Sequence, residues 1–399
     1  MQKPLRILTV VDLPWEARLG GSRVFIEITE AWRAAGHVVT KYCLTDAYPT
    51  RASAPFVSAW RQLGFPSKAA AFVRKNHDRF DIIDCLLGTL PFSKERLDFT
   101  GLLVARSVGF YRLYQDFERM AQERWPDQPR GKLLGRIFYS VIKKRAFKAS
   151  ESALENCDLL NFPNEDESRC LRDEVGSDKP AIVQPYGLTA EHRRALLEAA
   201  APPNVRLAEK KVSFVGMWSI RKGAKDWGEV IQRVRAAVPE TRFVFVGTLT
   251  DDRNVFRDLG LPGGDFIQLV QQYHPNDLPK LLSDSTVGAF PSYAEGFGLA
   301  VLEQLAAGIP TVAYDVPGPR AILRESFPEL LTPIGDVEKF AATLIRILRS
   351  DLIAYEKLAS ESIETASRFT WSEIAEKTAG LYAEHFAGAG LRNESSRNG

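Results

Sequence analysis

Apolar residues along the chain fall in short runs closed by glycine or polar turns, and these alternate with longer stretches of helical spacing. That is the pattern of buried parallel strands wound with amphipathic helices. Residues 5–11 predict the first strand. The loop 12–19 and Gly20-Gly21-Ser22 follow, then a helix to residue 35 with Val24, Ile28, Ala31 and Trp32 on one face. Gly36-His37 turns the chain into a strand over 38–44, and further strands are predicted at 80–87, 102–107, 157–162 and 181–186. Strand, glycine loop, helix, strand is how a doubly wound α/β domain begins. Between them, 130–148 reads as a basic helix, with Leu133, Leu134, Ile137, Phe138, Val141 and Ile142 at helical spacing.

A charged, alanine-rich segment, 189–201, and Pro202-Pro203 mark a boundary. A second αβ series opens with a strand at 211–215 and a glycine-bounded loop, Gly216 to Gly223, leading into a helix ending near residue 237. Strands at 241–246 and 266–270, a short helix at 276–282 and a strand at 287–291 continue it. The last helices are expected at 337–350 and 371–386, with a frayed polar tail after Gly388.

The stretch from Pro291 to Arg324 carries the densest chemistry. A strand end passes through Glu295-Gly296-Phe297-Gly298 into a helix, Leu299 to Ala307, stopped by Gly308 and Pro310. A strand at 311–314 and a tight loop at 315–319 follow. From Gly296 to Pro319 the only charged residues are Glu303 and Asp315. A carboxylate inside an apolar helix needs hydrogen-bond donors; ligand hydroxyls would serve, and so would an ion pair with a neighbouring helix. At the helix start, free N–H groups and the helix dipole suit an anion, and the glycines allow close approach. Arg221 and Lys222 lie in another strand-to-helix loop of the same domain. Both loops sit at carboxyl ends of strands, where parallel sheets bind ligands, so a diphosphate site is expected there.

Composition narrows the class. A chain of 399 residues suits two ordinary domains, and 45% hydrophobic with 26% charged residues is globular. A net charge of +2 gives no reason to expect nucleic acid as a partner. Cys43, Cys85, Cys157 and Cys170 form no CxxC pair and read as reduced thiols. The N-terminal apolar run is short for a signal peptide and no run approaches a membrane span, so a cytoplasmic location is expected. The cations of 130–148 are a candidate peripheral contact with anionic lipid at the inner face of the membrane, or simply a solvated face. There is no Asp-x-Asp and no His/Cys cluster, so no metal site is expected. His37, His77, His192, His274 and His385 read as structural or exposed. Tyr111, Tyr114, Phe117 and Trp125, near Arg106 and Arg112, would line an acceptor site or pack as core.

Glu295 and Glu303, seven residues apart within PSYAEGFGLAVLEQLAAGIPTVAYDVPG, resemble the E-x7-E signature of retaining glycosyltransferase family 4. Looser likenesses are Gly20-Gly21-Ser22, Gly36-His37-Val38-Val39, Gln184-Pro185-Tyr186-Gly187, Phe214-Val215-Gly216 through Lys222-Gly223, and the Trp371 helix. The resemblance implies the GT-B fold, α/β, with two Rossmann-like doubly wound domains facing across a cleft and a C-terminal helix crossing back. The implied domains are an acceptor-side domain at 1–188, a linker at 189–210, a donor-binding domain at 211–370, the crossover helix at 371–388 and a disordered tail at 389–399.

It also implies roles. Glu295, Lys222 and Arg221 would be catalytic. Glu295 would meet the donor sugar and Lys222 the diphosphate. Gly216, Gly296, Phe297, Gly298 and Leu299 would bind the donor through sugar and phosphate, and Glu303 through ribose. Gly20, Gly21 and Val108 would face the acceptor. Two positions depart from the family: Met217 stands where arginine is usual, and Val108 where histidine is usual. The implied reaction transfers a sugar, with retention and without metal or cofactor, from a nucleoside-diphosphate sugar to a carbohydrate or lipid-linked saccharide in surface polysaccharide or glycolipid synthesis. A nucleotide-sugar-binding partner subunit with impaired catalysis is the alternative. A nicotinamide dehydrogenase is disfavoured for want of GxGxxG.

Overall fold

The computed structural model describes residues 3–50, 55–126, 133–261 and 263–395. The chain forms two compact units. The first takes the chain up to Arg112, Gln122–Pro185, and everything from Trp371 on; the second takes Leu113–Ala121 and Tyr186–Thr370.

The first unit is built on β1 (Arg6–Val11), β2 (Val38–Cys43), β3 (Ile82–Leu86), β4 (Leu102–Arg106), β5 (Leu159–Phe162) and β6 (Ala181–Val183). All pair in parallel in the order β2-β1-β3-β4-β5-β6. Its helices are α1 (Gly20–Ala34), α2 (Leu44–Ala47), α3 (Pro55–Asn76), α4 (Tyr111–Arg124, shared with the second unit), α5 (Leu133–Asn156) and α6 (Glu165–Asp173). Val11, Phe25 and Cys43 form a buried cluster at the carboxyl end of the sheet, with Leu13, Trp15, Leu86 and Val108 against it. The strand order reverses between β1 and β3, so their carboxyl ends flank the crevice where an open α/β sheet takes its ligand.

The second unit repeats the plan with β7 (Lys211–Val215), β8 (Arg242–Val246), β9 (Ile267–Val270), β10 (Val287–Phe290), β11 (Thr311–Tyr314) and β12 (Leu331–Thr332). The order is β12-β11-β10-β7-β8-β9, again parallel. Counted from its own first strand this is the Rossmann order, with the reversal between β7 and β10. Its helices are α7 (Ala190–Ala199), α8 (Pro203–Glu209), α9 (Trp227–Ala237), α10 (Asp252–Leu259), α11 (Leu278–Leu282), α12 (Leu299–Ala306), α13 (Pro317–Leu323), α14 (Val337–Leu348) and α15 (Leu352–Ser367). The last helix, α16 (Trp371–Ser395), belongs to the first unit. There Trp32 Nε1 donates to the Ala375 carbonyl at 3.0 Å and Trp371 Nε1 donates to the Glu27 carboxylate.

Several segments differ from the sequence expectation. The expected linker at 189–210 folds as α7 and α8 in the second unit. Alanine, leucine, glutamate and arginine favour helix; Thr189 caps α7, and the proline pair starts α8 instead of merely ending a domain. Arg206 of α8 donates to the Ala307 and Gly308 carbonyls at 3.0 and 2.7 Å, which anchors that helix on the end of α12. The tight loop expected at 315–319 is largely α13, whose prolines sit at its first turn. Helices α3, α10 and α15 were not anticipated; α3 contains Pro66 within its span, which reads as a break. Helix α16 continues past Gly388, where a disordered tail was expected. Of the basic segment 130–148, residues 130–132 lie outside the described residues, as do the side chains of 133–139; Lys144, Arg145 and Lys148 on α5 are exposed.

Candidate functional site

The reversal between β7 and β10 sets two loops side by side. After β7, Gly216 turns the backbone (φ 153°) and Trp218 N donates to the Thr248 carbonyl at 2.9 Å. One 3-10 turn, Ile220–Lys222, then carries the two cations and ends at Gly223 (φ 82°). A side chain at Gly223 would place its Cβ 2.5 Å from the Pro291 carbonyl oxygen, so only glycine lets this loop close on the end of β10.

That closure delivers the cations to the next loop. Tyr293 N donates to the Arg221 carbonyl at 2.8 Å. Arg221 Nη1 donates to the Ala294 carbonyl at 2.8 Å and to Glu295 Oε2 at 3.3 Å. Lys222 Nζ donates to the same carboxylate oxygen and lies 4.4 Å from the Phe290 ring centroid. Burial alone would push the Glu295 carboxyl up, but the charges of Lys222 and then Arg221 hold it below the ordinary range. Burial lowers the Lys222 ammonium, against the pull of Glu295. The Glu295 carboxylate is thus clasped by a lysine and an arginine.

The backbone then enters α12 through Gly298 in a left-handed conformation (φ 96°), which aims the first N–H groups of the helix outward from the same loop. Phe297 between the glycines is buried, with its ring 5.3 Å from Tyr186 and 5.8 Å from Phe369. Its contribution to a ligand is therefore through the main chain. Further along α12, Glu303 is only 3% exposed, and its Oε1 lies 2.9 Å from His192 Nε2 on α7.

Two residues that sequence reasoning passed over shape this site. His192 was expected to be structural or exposed; it touches Glu303 because α7 packs on α12, a tertiary contact with no sequence spacing to reveal it. Asp226, before α9, accepts from the phenols of Tyr293 and Tyr314, both at 2.6 Å. It therefore pins the Tyr293 end of the β10–α12 loop. The aromatic group expected as acceptor lining or core is not core: α4 has no buried residue, Arg221 Cζ stands 5.3 Å from the Tyr114 ring, and Phe117 lies 6.2 Å from Tyr293.

The structure thus brings Gly216, Arg221, Lys222, Glu295, Gly296, Gly298 and Leu299 together in the second unit, with Glu303 farther along the same helix. Gly20, Gly21 and Val108 lie in the first unit. Gly20 and Gly21 open α1, and a methyl on Gly21 would stand 3.0 Å from Leu13 Cδ1 and 3.8 Å from Val108 Cγ2. Met217, in the family's arginine position, is 47% exposed.

Asp12, at the carboxyl end of β1 beside the first unit's reversal point, was also passed over. Burial raises its carboxyl to about 6. Its folded value lies above the unfolded one, so both states hold the proton below about pH 4. As pH rises from there through 6 the unfolded chain ionises first, and stability falls. Asp12→Asn should therefore be more stable than the parent by about 1–2 kcal/mol at pH 7.5. Thermal melts at two pH values check this. An advantage as large at pH 4 would contradict the assignment.

Among the described residues no group of three or more His, Cys, Asp or Glu side chains is placed to hold a metal ion. No helix among them is long and apolar enough to cross a membrane.

Two doubly wound units, the second with cations, a carboxylate and a helix start at its reversal point, define a GT-B architecture. Residues 198–367, within the second unit, match the family described as glycosyl transferases group 1. Among relatives, a D-inositol 3-phosphate glycosyltransferase of Nocardioides sp. is 32% identical over 271 residues, covering 64% of this chain and 57% of its own. A UDP-Gal:alpha-D-GlcNAc-diphosphoundecaprenol alpha-1,3-galactosyltransferase of Escherichia coli is 24% identical over 200 residues, covering 47% and 50%. The chain thus spans about half the length of these curated relatives. A sucrose-phosphate synthase structure from Thermosynechococcus elongatus superposes with a TM-score of 0.72 at 20% identity, over 96% of this chain and 100% of that one. That likeness concerns the fold.

Proposed function

We propose that the protein transfers a sugar from a nucleoside-diphosphate sugar to an acceptor hydroxyl with retention at the anomeric carbon. The observation that carries the reading is the meeting of Lys222, Arg221 and Glu295 beside the start of α12, at the reversal point of a Rossmann-ordered sheet. A diphosphate suits that place: two cations and free helix N–H groups meet its charge, so the chemistry proposed needs no metal. Arg221, held on Glu295 and the Ala294 carbonyl, takes over from the arginine that Met217 replaces. Glu295 accepts from donor-sugar hydroxyls, and Glu303 from the ribose. No carboxylate is assigned as nucleophile. The departing phosphate oxygen takes the acceptor proton as the glycosidic bond forms, and Lys222 with Arg221 stabilises the leaving diphosphate.

Lipid-linked or polysaccharide acceptors are proposed because the Escherichia coli relative is named for a diphosphoundecaprenol-linked sugar. A location at the inner face of the membrane goes with that acceptor class. The test is a donor screen: thermal shift and nucleotide release with UDP-, GDP- and ADP-sugars. One nucleotide class should raise the melting temperature and be released as diphosphate when a saccharide acceptor is added. No stabilisation by any of them would overturn the reading. Stabilisation without turnover on any acceptor, or by hydrolysis, would favour a nucleotide-sugar-binding partner subunit.

A further inference from the structure

We propose that His192 is a positioning residue for Glu303, and that through it α7 sets the affinity for the ribose of the nucleotide. The inference rests on the donor-binding reading above. It extends that reading to a residue outside the β7 and β10 loops and outside the signature stretch.

Glu303 is a flexible side chain almost wholly removed from water, on a helix otherwise apolar around it. To accept from two vicinal hydroxyls it must be ionised and held at one rotation of its carboxylate. His192 Nε2, at 2.9 Å from Oε1, supplies a hydrogen bond that fixes that rotation. Its proton must lie on Nε2 to donate, and the neutral Nε2–H tautomer is sufficient. A neutral donor occupies one lone pair and leaves the carboxylate its negative charge. A lysine or arginine there would compete with the ligand for that charge.

The imidazole is itself held on a fixed platform. His192 lies in the first turn of α7, and its backbone N donates to the capping Thr189 Oγ1 at 3.1 Å. Just before it, Leu188 N donates to the Phe369 carbonyl at 3.0 Å, and Leu188 bridges Thr370. Just after it, Arg193 Nη1 donates to the Ser367 carbonyl at 3.2 Å. Leu196, one turn on, is fully buried. The ring therefore enters from a segment tied to Ser367 at the end of α15 and to Phe369 and Thr370 just beyond it. Preorganisation of this kind lowers the ordering loss that a ligand otherwise bears on binding.

The test uses the full chain and isothermal titration with UDP, GDP and ADP, each beside its 2′-deoxy counterpart. His192→Phe keeps the ring and removes the donor; His192→Gln restores an amide N–H near the Nε2 position. For the nucleotide that binds the parent chain, His192→Phe should weaken affinity by about 10-fold or more, as when a hydrogen bond to a charged group is lost. Against the 2′-deoxy form the loss should shrink severalfold, and His192→Gln should regain most of it. In a Glu303→Gln background, His192→Phe should add nearly nothing. Equal losses on ribo- and deoxynucleotide, or additive losses with Glu303→Gln, would overturn the proposal while leaving the donor site standing. A parent chain that binds none of the three nucleotides would overturn both.

Discussion

Replacing Lys222 with Ala is expected to lower turnover roughly 100- to 1,000-fold with the donor that the screen identifies, the usual effect of removing one preorganised donor to developing negative charge. The ammonium lies beside Phe290 and sits on Glu295, so it would meet the diphosphate of the proposed donor from a low-dielectric wall where its charge acts strongly. Arg221 remains in the variant and still reaches Glu295 at 3.3 Å, so the carboxylate keeps one partner and the fold should survive. A thermal melt of the variant separates lost folding from lost catalysis. Lys222→Arg should recover only part of the rate, because a planar fork cannot occupy the place of a point charge. Glu295→Ala should lose a comparable factor by a different route, since it strips the sugar contact and leaves two cations repelling each other. Turnover within threefold of the parent in a folded Lys222→Ala variant would sink the catalytic assignment.

The half of this site that was legible in sequence is the half made by local geometry. Glycines at 216, 223 and 298 hold positive-φ conformations that other residues resist, and charged residues near them mark what the loops present. Strand runs of Val, Ile, Leu and Phe gave the parallel sheets, so the adjacency of the β7 and β10 loops followed from winding rules. What stayed hidden depends on tertiary contacts between residues far apart in the chain. His192 and Asp226 act on Glu303 and Tyr293 across distances of 111 and 67 residues in sequence. Helix α3 hid for the opposite reason, since Pro66 within it is a local signal that tertiary packing overrides. The linker expectation failed similarly: Pro202-Pro203 punctuates two helices of one unit, and the passage between units falls earlier, at Pro185–Tyr186.

Arg106→Met should destabilise the first unit by about 3–5 kcal/mol, the size expected when one partner of a buried ion pair is removed. The partner is Asp84 on β3. Its carboxylate accepts from Arg106 Nε at 3.1 Å and from Nη2 at 2.5 Å, with both side chains almost wholly buried. The phenol of Tyr382, on α16, donates to Asp84 Oδ2 at 2.7 Å and accepts from Arg106 Nη2 at 3.0 Å and Asn161 Nδ2 at 2.8 Å. One donor and two acceptor sites are all that a hydroxyl has, so this network is complete at the phenol. It fastens the C-terminal helix to β3, β4 and β5, with Arg106 Cζ 5.7 Å from the Trp32 ring centroid as a further contact. With Arg106 gone, the Asp84 carboxylate is left buried with the phenol as a weaker partner. In melting temperature the loss should be roughly 6–20 °C for a unit of this size. Tyr382→Phe should cost less, about 1–2 kcal/mol, because Asp84 and Arg106 still pair. Asp84→Leu with Arg106→Met and Tyr382→Phe should regain part of the single-variant loss, since no charge then remains buried alone. An Arg106→Met protein within 1 kcal/mol of the parent would show that water reaches Asp84 and that α16 is held by its apolar face instead.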